Sequence, residues 1–233
     1  MQLSAYQLSV LSVASALETI KFVIVGANDG KINDPAYPLI SGALKNRSST
    51  ILIEPNSDLN SMIRTNYAFT KNKFIINAAV GEESDVSLYS VKPDYWDRCQ
   101  PPYAKSWPAY RAPTGITSTS RDFVADWINR HKSEEFSADE AILNTTVVSK
   151  SLPSLLSEHQ QPWGVDVLQV DAESNDDNVI YACDLGRLKP SIIYCEVAHL
   201  GSERTIILEQ HLRKFGYRCL RQGANLLSLR VDR

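Results

Sequence analysis

The sequence predicts an α/β fold of Rossmann-like type, a mostly parallel seven-stranded sheet with an antiparallel edge. Three observations carry that expectation. Phe22-Val23-Ile24-Val25 is a continuous apolar run with β-branched members, as in a strand buried on both faces, and it runs straight into Gly26-Ala27-Asn28-Asp29-Gly30. Helical and extended segments then alternate as β-α-β-α-β, which implies parallel strands and right-handed crossovers. Acidic residues close three of the expected strands, at Glu54, at Asp171 with Glu173, and at Glu196. The carboxyl ends of such a sheet share one edge, and ligands bind there.

Taken in order, residues 1–20 hold an amphipathic first helix from Ala5 to Leu17. Its apolar part is too short to span a bilayer and lacks the basic start of a secretion signal. Phe22–Val25 and the glycine turn follow. Pro35 and Pro38 mark a helix entry, since proline is tolerated in a first turn, and Leu39, Ile40 and Leu44 continue it. Thr50 to Glu54 is a second buried strand, ended by Pro55. Ser57 is placed to cap a helix carrying Leu59, Met62 and Ile63. Phe74 to Gly81 reads as one third strand, and Asp85 to Val91 alternates like an added hairpin arm.

Pro93 to Pro113 breaks the pattern. It holds five prolines together with Tyr95, Trp96, Tyr103, Trp107 and Tyr110. A non-periodic loop of this length is commonly functional, and the aromatic content marks a packed lid over residues 92–115 rather than a linker. Arg98, Lys105 and Arg111 lie among these aromatics and read as solvated charge, with anion binding as the sharper alternative. A helix is expected from Thr119 to Arg130, with Phe123, Val124, Trp127 and Ile128 on one face. An exposed polar stretch follows from Lys132 to Glu140. Thr145 to Val148 is a short strand and Leu152 to His159 a short helix. Val165 to Glu173 and Ser191 to Glu196 are strands. Ser202 to Phe215 is a helix stopped by Gly216, and Tyr217–Leu220 with Leu226–Val231 form the closing antiparallel pair.

The 233 residues are read as a single domain, 43% hydrophobic and 22% charged. A net charge of −3 gives no footprint for nucleic acid or an anionic membrane. Cys99, Cys183, Cys195 and Cys219 are scattered, which argues against a zinc site and for reduced thiols in a cytoplasmic protein. The chain is compatible with a homodimer.

A carboxylate ending the second strand, about twenty residues past a glycine turn, is placed to accept hydrogen bonds from ribose hydroxyls. Glu54 fits that role, against the plainer reading of a capping carboxylate. The turn lacks the G-x-G-x-x-G pattern of a pyrophosphate site, and Asp29 would repel phosphates. Asn28 and Asp29 suit a ligand with a cationic or amino-acid part. S-adenosylmethionine carries a ribose, a sulfonium and an α-amino acid, and fits better than NAD.

These residues resemble the FkbM-type methyltransferase family. Val25-Gly26-Ala27-Asn28-Asp29-Gly30 is similar to its first motif, Ile53-Glu54-Pro55-Asn56 to its second and Asn77-Ala78-Ala79-Val80-Gly81 to its third. Leu168-Gln169-Val170-Asp171-Ala172-Glu173, followed by Asp176, resembles the signature after its fourth strand. Gly115-Ile116-Thr117-Ser118, Ile192 to Glu196 and Phe215-Gly216-Tyr217 are also similar, so the resemblance runs from about Phe22 to Leu229. It implies a class I methyltransferase fold and S-adenosylmethionine as donor. Gly26, Ala27, Asn28, Asp29, Gly30, Glu54, Pro55, Ala79 and Asp171 would then surround the donor. The implied reaction is O-methylation of a small hydroxylated acceptor, such as a sugar or natural product. One departure stands out: the family usually has glycine after the fourth-strand glutamate, and here it is Ser174.

O-methylation needs a base near the hydroxyl or a metal that lowers its pKa. Asp171, Glu173, Glu196 and His199 are the candidates, and clustered carboxylates can supply a base or hold a divalent cation. Donor binding, capping and plain packing are the competing roles for these four. Tyr95, Trp96, Tyr103, Trp107 and Tyr110 are candidate acceptor contacts. His131, His159 and His211 sit in no motif. Two alternatives remain open: a module that binds S-adenosylmethionine without transfer, motivated by Ser174, and an NAD-dependent oxidoreductase.

Overall fold

The computed structural model describes residues 2–162 and 164–231, so Met1, Trp163, Asp232 and Arg233 lie outside the described residues, including the two ends of the expected single domain. Among the described residues ten strands are seen: β1 (Ile20–Val25), β2 (Ser48–Ile53), β3 (Lys73–Ile76), β4 (Ala79–Val80), β5 (Ser84–Val91), β6 (Ile142–Lys150), β7 (Val167–Val170), β8 (Ile192–Glu196), β9 (Tyr217–Gln222) and β10 (Asn225–Arg230). Seven form one sheet in the order β3-β2-β1-β7-β8-β10-β9. The pairs from β3 through β8 are parallel, while β10 runs antiparallel to both β8 and β9. The mostly parallel sheet with an antiparallel edge is the expected one.

The central strands are apolar along their length, as both faces are covered. Val23, Val25, Ile51 and Ile53 point into one core with Leu152, Leu155 and Leu208. Phe22, Ile24 and Leu52 point into the other, with Tyr6 and Val10 of the first helix. That helix spans Ala5–Ser15, two residues shorter than expected. Ser4 Oγ accepts from Gln7 N, and the Gln7 side chain accepts in turn from Ser4 N.

The structure corrects four local expectations. Phe74 to Gly81 is two strands. The Asn77 side chain donates to the carbonyls of Glu54 and Pro55 at 2.8 and 2.9 Å, which turns the chain out of the main sheet after Ile76. β4 instead joins a second sheet of order β4-β6-β5. Asp85–Val91 is no local hairpin arm: β5 pairs with β6, a nine-residue strand some fifty residues later, where a shorter one was expected. The cap after β2 is Asn56, whose side chain accepts from Asp58 N, and Ser57 begins a 3-10 turn before the helix Asn60–Asn66. Pro38 does sit in a first turn, but the helix Tyr37–Ser41 stops before Leu44.

Residues 92–141 connect β5 to β6 and pack a third core of their own, around Val124, Trp127 and Ile128 of the helix Arg121–His131. The proline-rich stretch is short turns, Pro93–Arg98 and Pro102–Ala104, leading into the helix Arg111–Gly115. Cys99, Ala104 and Ala112 are buried in that third core, and Tyr95, Trp96 and Trp107 pack against it half-buried.

Candidate active site

The parallel strands bring their carboxyl ends to one edge, and a cavity of about 420 Å³ lies there. The ends of β1, β2 and β7, with the loops after them, build one side. Gly26 turns at φ 74°, and a β-carbon on it would stand 1.8 Å from the Asp171 carbonyl oxygen. Only glycine allows β1 and the loop after β7 to approach so closely. Asn28 follows in the left-handed region at φ 48° and donates its backbone N–H to Glu54 Oε2 at 2.7 Å. Glu54 Oε1 accepts from Asn56 N at 2.9 Å. The carboxylate is thus fixed by backbone amides of its own loop and of the glycine turn.

Asp29 faces away from the cavity. Its Oδ1 accepts from Lys31 N and Ile32 N, and its Oδ2 from the Tyr110 hydroxyl at 3.0 Å. Arg111 lies 3.9 Å from the same carboxylate and donates to the Ile32 carbonyl. The next turns of that segment continue the contact. Asn28 Nδ2 donates to Thr114 Oγ1, and Ser118 Oγ donates to the Glu173 carbonyl at 2.9 Å. Residues 110–118 therefore run as a strap from the glycine turn to the loop after β7. Arg111, expected as solvated charge, is only 8% exposed and sits 5.5 Å from the Trp107 ring centroid.

On the floor of the cavity Glu173, Glu196 and His199 converge. His199 Nε2 lies 3.9 Å from Glu173 Oε2 and 3.7 Å from Glu196 Oε2. One ligand atom from each of the three lies within 4.8 Å of the others, a spacing that can hold a divalent cation through oxygen and nitrogen. The position after Glu173 takes φ 74°, so Ser174 adopts the left-handed backbone that glycine would favour there.

Crowding of acids shapes the electrostatics. Burial pushes the Glu54 carboxyl up to about 7, against the pull of the Asn56 and Asn28 amides. Asp171 is pushed up to about 6, first by burial and then by Glu196, with Arg111 opposing. Burial raises Glu173 too, with Asp171 and Glu196 adding to it, and burial raises Glu196. Burial lowers His199. The cavity therefore holds carboxyl groups that keep their protons more tightly than in water, beside the buried guanidinium of Arg111.

Of the residues expected at a donor, Gly26, Asn28, Glu54, Pro55, Ala79 and Asp171 line the cavity, while Ala27, Asp29 and Gly30 lie behind it. Of the lid aromatics, Tyr103 and Trp107 line it. Tyr95 packs on Phe136, Trp96 donates to the Val91 carbonyl, and Tyr110 is tied to Asp29. Sequence reasoning missed Thr114, Trp127 and His131 as lining groups. Trp127 was legible only as part of a buried helix face. His131 sits beside it with the rings tilted by 55° and their centroids 4.9 Å apart.

The sequence profile of the methyltransferase FkbM domain matches residues 25–219. The chain belongs to the FkbM methyltransferase family. Two solved structures resemble it at low identity. One is a precorrin-6y C5,15-methyltransferase from Geobacter metallireducens GS-15, with 12% identity over 98% of this chain and 89% of that one, at a TM-score of 0.44. The other is a fibrillarin/Nop5p complex, with 9% identity over 92% of this chain and 74% of that one, at a TM-score of 0.42. No curated protein sequence matches.

Family membership and the strand order together make this a class I methyltransferase fold, with S-adenosylmethionine as the implied methyl donor. The residues of this FkbM protein fit that donor. An acidic cavity suits a sulfonium and an ammonium group and disfavours a pyrophosphate. Asp171 Oδ1 is buried without a hydrogen-bond partner among the described residues, so the edge holds an acceptor to spare.

Proposed function

We propose that this protein is an S-adenosylmethionine-dependent O-methyltransferase acting on a hydroxyl of a small molecule, sugar or natural product. The observation that carries the proposal is the meeting of Glu173, Glu196 and His199 on the cavity floor, beside the glycine turn and Glu54. When bound, the donor supplies an electrophilic methyl group on sulfur. Glu54, held by two backbone amides, accepts from the ribose hydroxyls. Gly26 and Asn28 line the methionine part and Ala79 the adenine side. The acceptor lies against Tyr103, Trp107 and Trp127, whose faces suit a sugar or flat ring. With donor and acceptor in place, Glu173, Glu196 or His199 would take the proton of the acceptor hydroxyl. Alignment of the two reactants supplies most of the remaining rate.

The same three groups support a second reading of activation, in which a divalent cation bound by them acidifies the hydroxyl. The cytoplasm as the place of reaction and a homodimer as the assembly belong to this proposal as well. The former rests on the four scattered cysteines. Among the described residues no helix is long and apolar enough to cross a membrane.

The test is transfer of an isotopically labelled methyl group from the donor to a panel of hydroxylated acceptors, with and without chelator. The proposal expects an acid-stable methyl ether on one acceptor class. Activity lost to chelator and restored by Mg²⁺ assigns activation to the cation, and activity indifferent to chelator assigns it to a base. Methylation confined to nitrogen or carbon acceptors would overturn the O-methyl assignment.

A further inference from the structure

The loop that carries Glu173 turns on two consecutive left-handed residues, Glu173 at φ 43° and Ser174 at φ 74°. Neither is glycine, so each pays for a crowded backbone and needs surroundings that over-determine it. Two ties do so. Ser118 Oγ donates to the Glu173 carbonyl at 2.9 Å, and Arg204 Nη2 donates to the Ser174 carbonyl at 3.0 Å. Arg204 is itself fixed by Asp177, through Nε to Oδ2 at 2.9 Å and Nη2 to Oδ1 at 2.5 Å.

This pair differs from an ordinary surface ion pair, which contributes little. The Asp177 side chain is only 5% exposed, and the third partner of the guanidinium is the backbone of a strained turn. Arg204 also lies on the helix Gly201–Lys214, which follows directly on the segment bearing Glu196 and His199. One guanidinium therefore joins the loop after β7 to the element after β8, the two parts whose side chains meet on the cavity floor.

We propose that Arg204 is a positioning residue, which holds the Glu173–Ser174 turn so that the Glu173 carboxylate faces Glu196 and His199. Ser174 makes the loop dependent on that tie, since glycine would hold the same backbone without help. The proposal rests on the reading of Glu173 as part of the transfer site, and the spectroscopic arm below does not need transfer to occur.

The experiment compares wild type, Arg204→Ala, Arg204→Ala with Ser174→Gly, and Glu173→Gln as a spectroscopic reference. Histidine-selective NMR reads the His199 ring, calorimetry reads donor affinity and a saturated assay reads kcat. In Arg204→Ala the His199 signals should move to where Glu173→Gln places them, and kcat should fall about tenfold or more with donor Kd within about twofold. Adding Ser174→Gly should return both readouts toward wild type, which a purely structural role for Arg204 does not predict. Where Arg204→Ala does not fold, Asp177→Asn frees the same guanidinium and should show the same rescue. His199 signals unchanged in the folded variants, or no recovery on adding Ser174→Gly, would overturn the proposal. Failure of the wild type to bind the donor would count against methyl transfer alone, leaving the NMR comparison decisive for Arg204.

Discussion

A β-carbon at position 26 would lie 1.8 Å from the Asp171 carbonyl, and the residue there must also hold φ 74°. Gly26→Ala is therefore expected to cost roughly 3 kcal/mol or more of stability and to abolish donor binding, as read by urea unfolding and calorimetry. An unfolding midpoint equal to wild type would show that the strands do not approach so closely. Glu54 makes a different kind of prediction. Burial raises its carboxyl from 4.5 to about 7. The folded state then binds this proton more tightly than the unfolded chain, so the stability it contributes is full below about 4.5 and is lost as pH rises through about 7. The loss is on the order of 3 kcal/mol. Comparing unfolding of wild type and Glu54→Gln at pH 5 and pH 8 isolates it. The wild type should lose more stability on going to pH 8, and parallel losses would contradict the assignment. Gly26 and Glu54 were both legible in the sequence, because glycine and a strand-end acid each leave a local mark. Arg111 was not. What buries it is Asp29, Ile32 and Trp107, and only Trp107 is near it in sequence.

The elements divide in the same way. Apolar runs disclosed β1, β2, β7 and β8 because central parallel strands are buried on both faces. The break between β3 and β4 was hidden, since both pieces are extended and what separates them is an Asn77 side chain bonded to the end of the neighbouring strand. The partner of β5 was hidden too. Periodicity shows that a segment is a strand but not which distant segment it meets, and here the pair brackets the whole 92–141 connection. In that connection the sequence identified aromatic content but not orientation. Tyr103 at the rim is 60% exposed, its ring meets Trp107 and His131 edge-on, and its hydroxyl accepts from Trp127 Nε1 at 3.4 Å. Tyr103→Ala should lower stability by only about 1 kcal/mol and leave donor Kd unchanged, while raising acceptor KM several-fold. A raised donor Kd with unchanged acceptor KM would move the aromatic rim from the acceptor to the donor.

At the scale of the molecule, the fold gathers side chains far apart in sequence onto one edge. The strand order places β1 between β2 and β7, so the glycine turn, Glu54 and Asp171 become neighbours, and β8 adds Glu196. Topology follows from the alternation of elements, which is why the acidic edge is legible in the sequence. The distances among Glu173, Glu196 and His199 could not, because they depend on a left-handed turn at Glu173 and Ser174 that periodicity does not encode. An edge of this charge should favour a cationic donor more strongly as its carboxyl groups ionise. Affinity should therefore rise from pH 5.5 to pH 8, opposite in sign to the Glu54 contribution to stability. The most direct measurement is titration calorimetry of the wild type and Glu54→Gln with S-adenosylmethionine at pH 7.5. One donor per chain, weakened about tenfold or more by Glu54→Gln, is the predicted result. No heat at millimolar donor, or equal affinity in the two proteins, would contradict it.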